Sequence, residues 1–292
     1  MDGMEGNTAR MGRLRIPELS RSEKVSLVVP FAVILLAEFL FFDASRSLSQ
    51  PMFEHVILVH AANIVFCIVY PMITKADSGI FQAFSLISLL RILNIGMPSF
   101  TIYTLQWIPL IYVPVILVAA FSLLDEKFDF SMEPGEFPYR AVLEHYWQGL
   151  KAGLKSWYFI PIGAGIGMAL SMTEYFVLRN QPMVPDYTMG SFVILFIVMF
   201  LCIGLGEEML FRSMLQGRVQ TKIGPVAAVI MASILFGMMH SGYANPVYMG
   251  YVFLVSLVFG YLYYRTNSLL LITVVHGTIN FFLFSIMPYL FG

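Results

Sequence analysis

Long apolar runs alternate with short polar segments along almost the whole chain. Because a bilayer core of about 30 Å requires roughly 20 apolar residues per helix, this pattern predicts membrane-spanning helices. The candidate spans lie near residues 25–42, 54–73, 80–97, 101–124, 157–178, 190–215, 225–240, 247–264 and 268–290. The third contains Arg91 and the seventh is short, so eight spans is the alternative to nine. The predicted fold class is an all-α polytopic transmembrane helical bundle.

The longest polar stretch, residues 125–156, divides the chain. After Pro134 and Pro138 it has the spacing of an amphipathic helix, which would lie in the membrane interface. We therefore expect four parts: an N-terminal segment (1–24), a four-span region (25–124), an interfacial linker (125–156) and a C-terminal membrane domain (157–292) that carries the candidate catalytic groups.

Composition narrows the class of protein. Of the 292 residues, 58% are hydrophobic and only 12% are charged, about half of the roughly 25% charged residues of ordinary globular chains. The shortage of charge runs along the whole chain, which excludes a soluble domain with one anchor, a disordered chain and a nucleic-acid binder. Cys67 and Cys202 lie in apolar runs without a CxxC partner, so we expect buried structural thiols.

The basic residues predict the orientation. If the N-terminus is cytoplasmic and all nine segments cross, all but three of the 17 Lys and Arg residues fall on the cytoplasmic side. Arg46 and Arg179 would lie outside, and Arg91 would lie within the membrane. The positive-inside rule expects this bias. We therefore expect a multi-pass membrane protein with a cytoplasmic N-terminus.

Ionisable side chains inside a membrane are costly, so each requires an explanation. In the N-terminal half, Glu38, His60, Asn63 and Arg91 are isolated in the sequence. We interpret them as interhelical hydrogen bonds or a structural ion pair. The C-terminal half differs, because its polar groups form patterned clusters in successive apolar segments.

The first cluster contains Glu207, Glu208 and Arg212. On a helix, Glu208 and Arg212 are i, i+4 neighbours and can pair, whereas Glu207 points about 100° away. This spacing predicts one carboxylate that is held and one that is available. An ordinary ion pair at a helix end is the alternative interpretation.

The second cluster ends at His240, and the third contains His276 and Asn280, one helical turn apart. A Gly-Pro turn signal lies midway between Glu207 and His240, so an antiparallel hairpin would place both side chains at the same depth. Glycines flank these groups at positions 204, 206, 237 and 277, which would let the helices approach closely. We expect the three clusters to meet in one intramembrane cavity on the cytoplasmic side.

These residue types indicate hydrolysis of an amide by an activated water. A carboxylate and a histidine around one water form a general-base site, and a second histidine with an asparagine amide supplies donors for an oxyanion. Zinc held by Glu207, His240 and His276 is the alternative. Because the sequence has no HExxH and a helical Glu–Glu pair with Arg is unusual around zinc, a site without a cofactor is favoured.

Three motifs occur in order, each in a separate apolar segment: EExxxR (Glu207, Glu208, Arg212), FxxxH (Phe236, His240) and HxxxN (His276, Asn280). Together they resemble the motifs of the CAAX protease and bacteriocin-processing family, also called CPBP or Abi, which includes the type II CAAX prenyl endopeptidases. The resemblance covers roughly residues 140–290. It implies a glutamate-type intramembrane protease whose cavity opens to the cytosol.

The resemblance also implies roles for six of the seven motif residues. They are a general base acting on a shared water (Glu207 with His240), oxyanion donors (His276 and Asn280) and supporting groups (Glu208 and Arg212). For CAAX members it implies a prenylated C-terminal tetrapeptide that loses its last three residues. The expected partners are membrane lipids and a peptide or prenylated-protein substrate, with no nucleic acid.

Two other classes of function fit an apolar chain with polar clusters. One is a non-enzymatic scaffold of the bacteriocin-immunity type, in which the clusters are structural. The other is a transporter, which ranks last because the sequence shows neither an internal repeat nor paired broken helices.

Overall fold

The computed structural model describes residues 19–97, 102–128, 156–184 and 186–292. Within these ranges the chain is helical and has no strand. The helices are α1 (Arg21–Ser47), α2 (Gln50–Thr74), α3 (Gly79–Ile95), α4 (Ile102–Phe128), α5 (Phe159–Leu178), α6 (Met189–Ile223), α7 (Pro225–Met238), α8 (Pro246–Thr266), α9 (Leu269–Phe284) and the short α10 (Ile286–Phe291). The expected interfacial helix over 125–156 falls mostly outside the described residues.

The prediction of a polytopic all-α bundle is confirmed. Within the described ranges, 8 helices are long and apolar enough to cross a membrane, and α3 is a shorter apolar helix of 17 residues. Every predicted span corresponds to a helix, and the third, which contains Arg91, is the one that is too short to qualify. The two cysteines, Cys67 and Cys202, are buried free thiols as expected.

Local sequence signals set the helix boundaries near the site. Gly224, with φ of 84°, separates α6 from α7, and glycine adopts this left-handed region without a steric penalty. Pro225 then begins α7, where its fixed φ suits the first turn of a helix. The turn predicted from the Gly-Pro pair is therefore present. Asn245 caps α8 by accepting hydrogen bonds from two backbone N–H groups.

Side-chain contacts define one end of the bundle, which we call the Lys222 face. Lys222 Nζ lies 2.7 Å from Glu23 Oε1. Arg218 donates hydrogen bonds to the Gly79 carbonyl at 2.6 Å and to Ser122 Oγ at 3.0 Å. The start of α1, the start of α3 and the ends of α4 and α6 therefore meet at this face.

The opposite end of the bundle, which we call the Met183 face, gathers the other helix ends. The backbone N–H of Met183, between α5 and α6, donates to the Phe284 carbonyl at 2.9 Å. Arg91, near the end of α3, donates to the carbonyl of Met239, just after α7. The ends of α3, α5, α7 and α9 therefore lie together, opposite the Lys222 face.

The isolated polar residues of the N-terminal half form interhelical contacts, as expected. Arg91 donates to both carboxylate oxygens of Glu38, at 2.7 and 2.9 Å. His60 Nε2 lies 3.5 Å from Glu38 Oε1, and Asn63 donates to Ser88 Oγ at 3.0 Å. All five residues are buried. The network joins α1, α2 and α3.

Candidate active site

Helix α6 carries both glutamates of the first cluster in an irregular section. The segments Val198–Gly204 and Met209–Gln216 are π-helical and flank one α-helical turn, Leu205–Glu208. Because a π-helical turn contains an extra residue, it rotates the side chains that follow relative to a uniform α-helix. Such turns are rare and are frequently found at functional sites.

Glycines bring α6 and α9 together beside these glutamates. A Cβ added to Gly204 would lie 3.2 Å from the backbone nitrogen of Gly277 and 3.3 Å from the carbonyl oxygen of Thr273. A Cβ on Gly277 would lie 2.6 Å from the ring of Phe200. The two helices therefore touch where any larger residue would separate them. This close approach lets groups on α9 reach the carboxylates of α6.

Glu208 is the held carboxylate. Arg212 Nε donates to its Oε2 at 3.0 Å, which confirms the predicted i, i+4 pair, and His276 Nδ1 donates to its Oε1 at 2.8 Å. Arg212 also donates to Ser256 Oγ of α8 at 2.7 Å. Glu208 and Arg212 are both 0% exposed. Both carboxylate oxygens of Glu208 are therefore engaged away from solvent.

Glu207 is the available carboxylate. Tyr112 of α4 donates to its Oε1 at 2.6 Å, and its Oε2 lies 3.9 Å from His276 Nε2. The Glu207 side chain is 15% exposed, in contrast to 0% for Glu208. Because Nδ1 of His276 is bonded to Glu208, Nε2 is the nitrogen that faces Glu207. The predicted division between a held and an available carboxylate is present in the structure.

His240 follows the end of α7. Its Nδ1 lies 2.9 Å from the Phe236 carbonyl and donates to it, which leaves Nε2 as its second polar atom. The imidazole ring lies 6.2 Å from the ring of Tyr243, nearly parallel to it, and 5.7 Å from the ring of Tyr248. The aromatic contacts and the hydrogen bond together fix the orientation of the imidazole.

One cavity of about 260 Å³ brings the candidate catalytic residues together. Glu207, His240, His276 and Asn280 all line it. Glu208 lies behind this lining and bonds His276, and Arg212 bonds Glu208. The expectation that the three clusters meet in one cavity is therefore correct among the described residues.

The structure adds residues that the sequence did not single out. Tyr112 lines the cavity and bonds Glu207, although it lies 95 positions away in the sequence and belongs to no motif. Arg91 also lines the cavity and bonds the carbonyl of Met239, the residue before His240. The N-terminal region thus supplies part of the cavity wall, and a tyrosine in an apolar span gives no signal of that role.

The cavity lies in the half of the bundle nearer the Met183 face. Its lining includes Met97 after α3, Met183 before α6 and the exposed Gly242 after α7. On the other side, Leu215 and Gln216 of α6 are 0% exposed, between the cavity and the Lys222 face. Leu215 and Gln216 are not part of the cavity lining and lie farther along α6 toward the Lys222 face.

The described residues do not fit a zinc site as they are arranged. Among them, no group of three or more His, Cys, Asp or Glu side chains is placed to hold a metal ion. Glu208 has both oxygens bonded to Arg212 and His276, which leaves it no atom for a metal ion, and Glu207, His240 and His276 line the cavity without forming such a group. We therefore derive no step through a metal.

Comparison with known proteins agrees with the motifs. Residues 189–282 match the family model of the type II CAAX prenyl endopeptidases, Rce1-like. The matched segment contains all seven motif residues, from Glu207 to Asn280, on α6, on and just after α7, and on α9. No curated protein and no solved structure matches the chain. The family match confirms the resemblance that the motifs carry over this part of the chain.

Proposed function

We propose that this chain is an intramembrane endopeptidase that hydrolyses a peptide bond with a water activated by Glu207 and His240. The observation that carries the proposal is the contrast between adjacent carboxylates: Glu208 is fully bonded, whereas Glu207 faces the cavity. The family match over residues 189–282 supports the same class of reaction.

Glu207 acts as the general base in this proposal. Tyr112 holds its Oε1 at 2.6 Å, so Oε2 is directed toward the cavity. A cavity water hydrogen-bonded to Glu207 and to His240 Nε2 loses a proton to Glu207 as its oxygen attacks the peptide carbonyl. The protonated Glu207 then gives this proton to the leaving amine, which balances the hydrolysis.

His276 and Asn280 stabilise the tetrahedral intermediate. They lie one turn apart on α9 and line the same cavity. Because Glu208 holds the Nδ1 proton of His276, Nε2 points inward and donates to the oxyanion in the imidazolium form, in which both ring nitrogens carry a proton. Polar N–H groups held in place before the reaction stabilise a developing oxyanion without reorganisation. Arg212 contributes indirectly, because it fixes Glu208.

The cavity wall indicates the kind of peptide that binds. Four methionines, Met97, Met183, Met199 and Met239, line it. Methionine side chains adapt to irregular apolar groups. We propose a peptide with an apolar group beside the scissile bond, for which the prenylated CAAX peptide that the family match suggests is the first substrate to test.

The experiment is cleavage of a fluorogenic farnesylated CAAX peptide by purified protein in detergent. Wild type, Glu207→Ala and His240→Ala are compared with and without a strong chelator, and Glu54→Ala serves as the control because Glu54 is exposed on α2. We expect cleavage by wild type and Glu54→Ala, loss in the other two, and no effect of the chelator. A chelator-sensitive activity that zinc restores would contradict the metal-free mechanism. Full activity of Glu207→Ala would contradict the assignment of the base.

A further inference from the structure

We propose that Glu174 of α5 is a positioning residue for His240, on which it acts through Tyr248 of α8. This role rests on the proposed function, because the orientation of His240 affects the rate only if this imidazole holds the attacking water. Glu174 belongs to none of the three motifs and lies outside the matched segment 189–282. The residues that support catalysis then include one from a helix that the family match does not cover.

Glu174 lies within an apolar helix and, among the described residues, has no arginine partner. It belongs to the spanning helix α5 and is 5% exposed. An ionisable side chain at such a position is costly and commonly marks a function. Glu38 and Glu208 each pair with an arginine, whereas Glu174 Oε1 accepts a hydrogen bond from the Tyr248 hydroxyl at 2.8 Å. Glu174 is therefore a hydrogen-bond acceptor for a tyrosine and not half of a Glu–Arg pair.

Contacts hold both the backbone and the hydroxyl of Tyr248. Its backbone N–H, in the first turn of α8, donates to the capping Asn245 Oδ1 at 3.1 Å, and its hydroxyl is bonded to Glu174. The residue is 2% exposed, and it lines the cavity. The Tyr248 ring is therefore fixed between the cap of α8 and the carboxylate of α5.

The fixed ring forms one wall of the site that the His240 imidazole occupies. The rings of Tyr248 and His240 lie 5.7 Å apart, with an interplanar angle of 78°. Tyr243 lies on a second side, 6.2 Å from the imidazole and nearly parallel to it, at 13°. The two tyrosine rings contact each other at 4.9 Å and 73°. Because aromatic rings prefer edge-to-face and stacked arrangements of this kind, the two tyrosines and the imidazole pack as a unit.

His240 requires such walls, because helix geometry does not orient it. It follows the end of α7, and its Nδ1 donates one hydrogen bond to the Phe236 carbonyl at 2.9 Å. A single bond at Nδ1 leaves the ring free to rock about that bond, and Nε2 then moves relative to Glu207. Tyr248 limits this movement while Glu174 holds its hydroxyl. Since the chemical step depends on the placement of the catalytic groups, loss of this hydrogen bond lowers kcat and leaves KM nearly unchanged.

A neighbouring set of hydrogen bonds between the same two helices provides the matched control. Tyr251, one turn after Tyr248 on α8, bonds Thr173 Oγ1 at 2.7 Å and donates to the Leu170 carbonyl at 2.8 Å. Neither Tyr251 nor Thr173 is among the described residues that line the cavity. Tyr251→Phe therefore weakens the contact between α5 and α8 without touching the walls of the His240 site.

The experiment measures kcat and KM with the farnesylated peptide, using the full chain in detergent. We expect Glu174→Leu and Tyr248→Phe each to lower kcat about 5- to 10-fold, the loss to which one hydrogen bond corresponds, with little change in KM. Tyr251→Phe should keep the kcat of wild type. Glu174→Gln should keep most of it, because the amide oxygen still accepts from Tyr248.

The double variant Glu174→Leu/Tyr248→Phe tests whether both residues act through one bond. We expect it to lose no more kcat than either single variant. It also removes both polar partners, so no buried group is left unbonded, and it should fold even where a single variant does not. A loss equal to the product of the two single losses would overturn the shared role.

Nitrogen-15 NMR of the His240 imidazole reports its orientation without relying on cleavage. Protein with labelled histidine is compared with His240→Ala, which assigns the signal. We expect one tautomer, with the proton on Nδ1, in wild type, Glu174→Gln and Tyr251→Phe. Glu174→Leu should show a mixture of both tautomers, because the loosened ring leaves the Phe236 carbonyl part of the time.

A kcat of Glu174→Leu equal to that of wild type would overturn the proposal. An equal loss in Tyr251→Phe and Glu174→Leu would do so as well, because the cause would then be helix packing. An equal loss in Glu174→Gln and Glu174→Leu would make the charge the cause and not the hydrogen bond. If wild type cleaves nothing, the proposed function fails, and the NMR spectra still decide, since an unchanged His240 signal in Glu174→Leu overturns the positioning.

Discussion

Two buried Glu–Arg pairs lie in this bundle, and they differ in what surrounds the carboxylates. In the N-terminal half, Arg91 bonds both oxygens of Glu38, and Ser241 also donates to Glu38. In the C-terminal half, Arg212 and His276 bond the two oxygens of Glu208. In both pairs, each carboxylate oxygen accepts a hydrogen bond. The difference is the neighbour, because Glu38 lies between Ala37 and Phe39, whereas Glu208 follows a second glutamate that faces the cavity.

This difference separates a structural ion pair from a reactive site. A buried pair with all its partners is costly to break but has no atom left for chemistry. The second pair uses the same contacts to fix His276 beside a carboxylate that keeps one oxygen directed to the cavity. The proposed mechanism therefore gives the catalytic role to Glu207, a stabilising role to the Glu38–Arg91 pair, and a stabilising and positioning role to the Glu208–Arg212 pair. The following predictions test that division.

The largest expected effect is the loss of cleavage rate in the Glu207→Gln variant. The change keeps the shape of the side chain and removes the base, so we expect the cleavage rate to fall by about 10²- to 10⁴-fold. Thermal stability should stay close to that of wild type. The measurement is kcat with the farnesylated peptide, and Glu54→Gln, an exposed glutamate, is the matched control. A rate within a few-fold of wild type would show that another group is the base.

The next largest expected effect is a loss of thermal stability in the Arg91→Met variant. The change leaves the Glu38 carboxylate buried without its main partner, which costs about 3–5 kcal/mol in comparable buried pairs. We expect a clearly lower Tm in detergent, and a partial recovery in Glu38→Gln/Arg91→Met because the stranded charge is removed. Arg46→Met, at an exposed arginine, is the control. An unchanged Tm for Arg91→Met would contradict the structural role.

A smaller effect is expected from Tyr112→Phe. It removes the hydrogen bond to Glu207 and leaves the ring in place. A hydrogen bond to a charged group contributes about 1.5 kcal/mol or more, which corresponds to roughly a tenfold loss of kcat. KM and Tm should change little. Tyr187→Phe, in the exposed connection before α6, is the control. If the substitution changes only the Tm, Tyr112 has a structural role and no role in catalysis.

The smallest effect concerns a surface carboxylate outside both pairs. Hydrogen bonds from Ser191 Oγ and Thr188 lower the pKa of Asp186, which thereby holds Thr188, the N-cap of α6. Because this pKa lies below the unfolded value of about 3.9, the stabilisation is present above that value and is lost as the pH falls through the folded pKa. Solvent screening keeps the effect small.

Hydrogen exchange measures this local effect. The protection of the amides of Ser191 and Phe192 should decrease on acidification in wild type, after correction for the intrinsic exchange rate. In Asp186→Asn the protection should be lower at neutral pH and should change little with acidification. Equal pH dependence in both proteins would contradict the assignment.

The sequence predicted the parts of the molecule that depend on local pattern. The spans follow from apolar runs, and the Glu208–Arg212 pair follows from i, i+4 spacing. The sequence indicated an ion pair among the polar residues of the N-terminal half but not that Arg91 pairs with Glu38, and it gave no sign of the contact between Tyr112 and Glu207, because both contacts join distant helices and depend on packing. The two π-helical segments around Leu205–Glu208 also leave no periodic signal in an apolar run.

The most direct test of the central claim is a paired measurement on Glu207→Gln and Glu38→Gln. Cleavage of the farnesylated peptide and thermal unfolding are recorded on the same preparations, with the rates taken below both melting temperatures. We predict that Glu207→Gln keeps the Tm and loses the activity, and that Glu38→Gln lowers the Tm and keeps most of the activity. If Glu207→Gln remains active, or if Glu38→Gln abolishes cleavage while its Tm is unchanged, the division between the two sites is wrong.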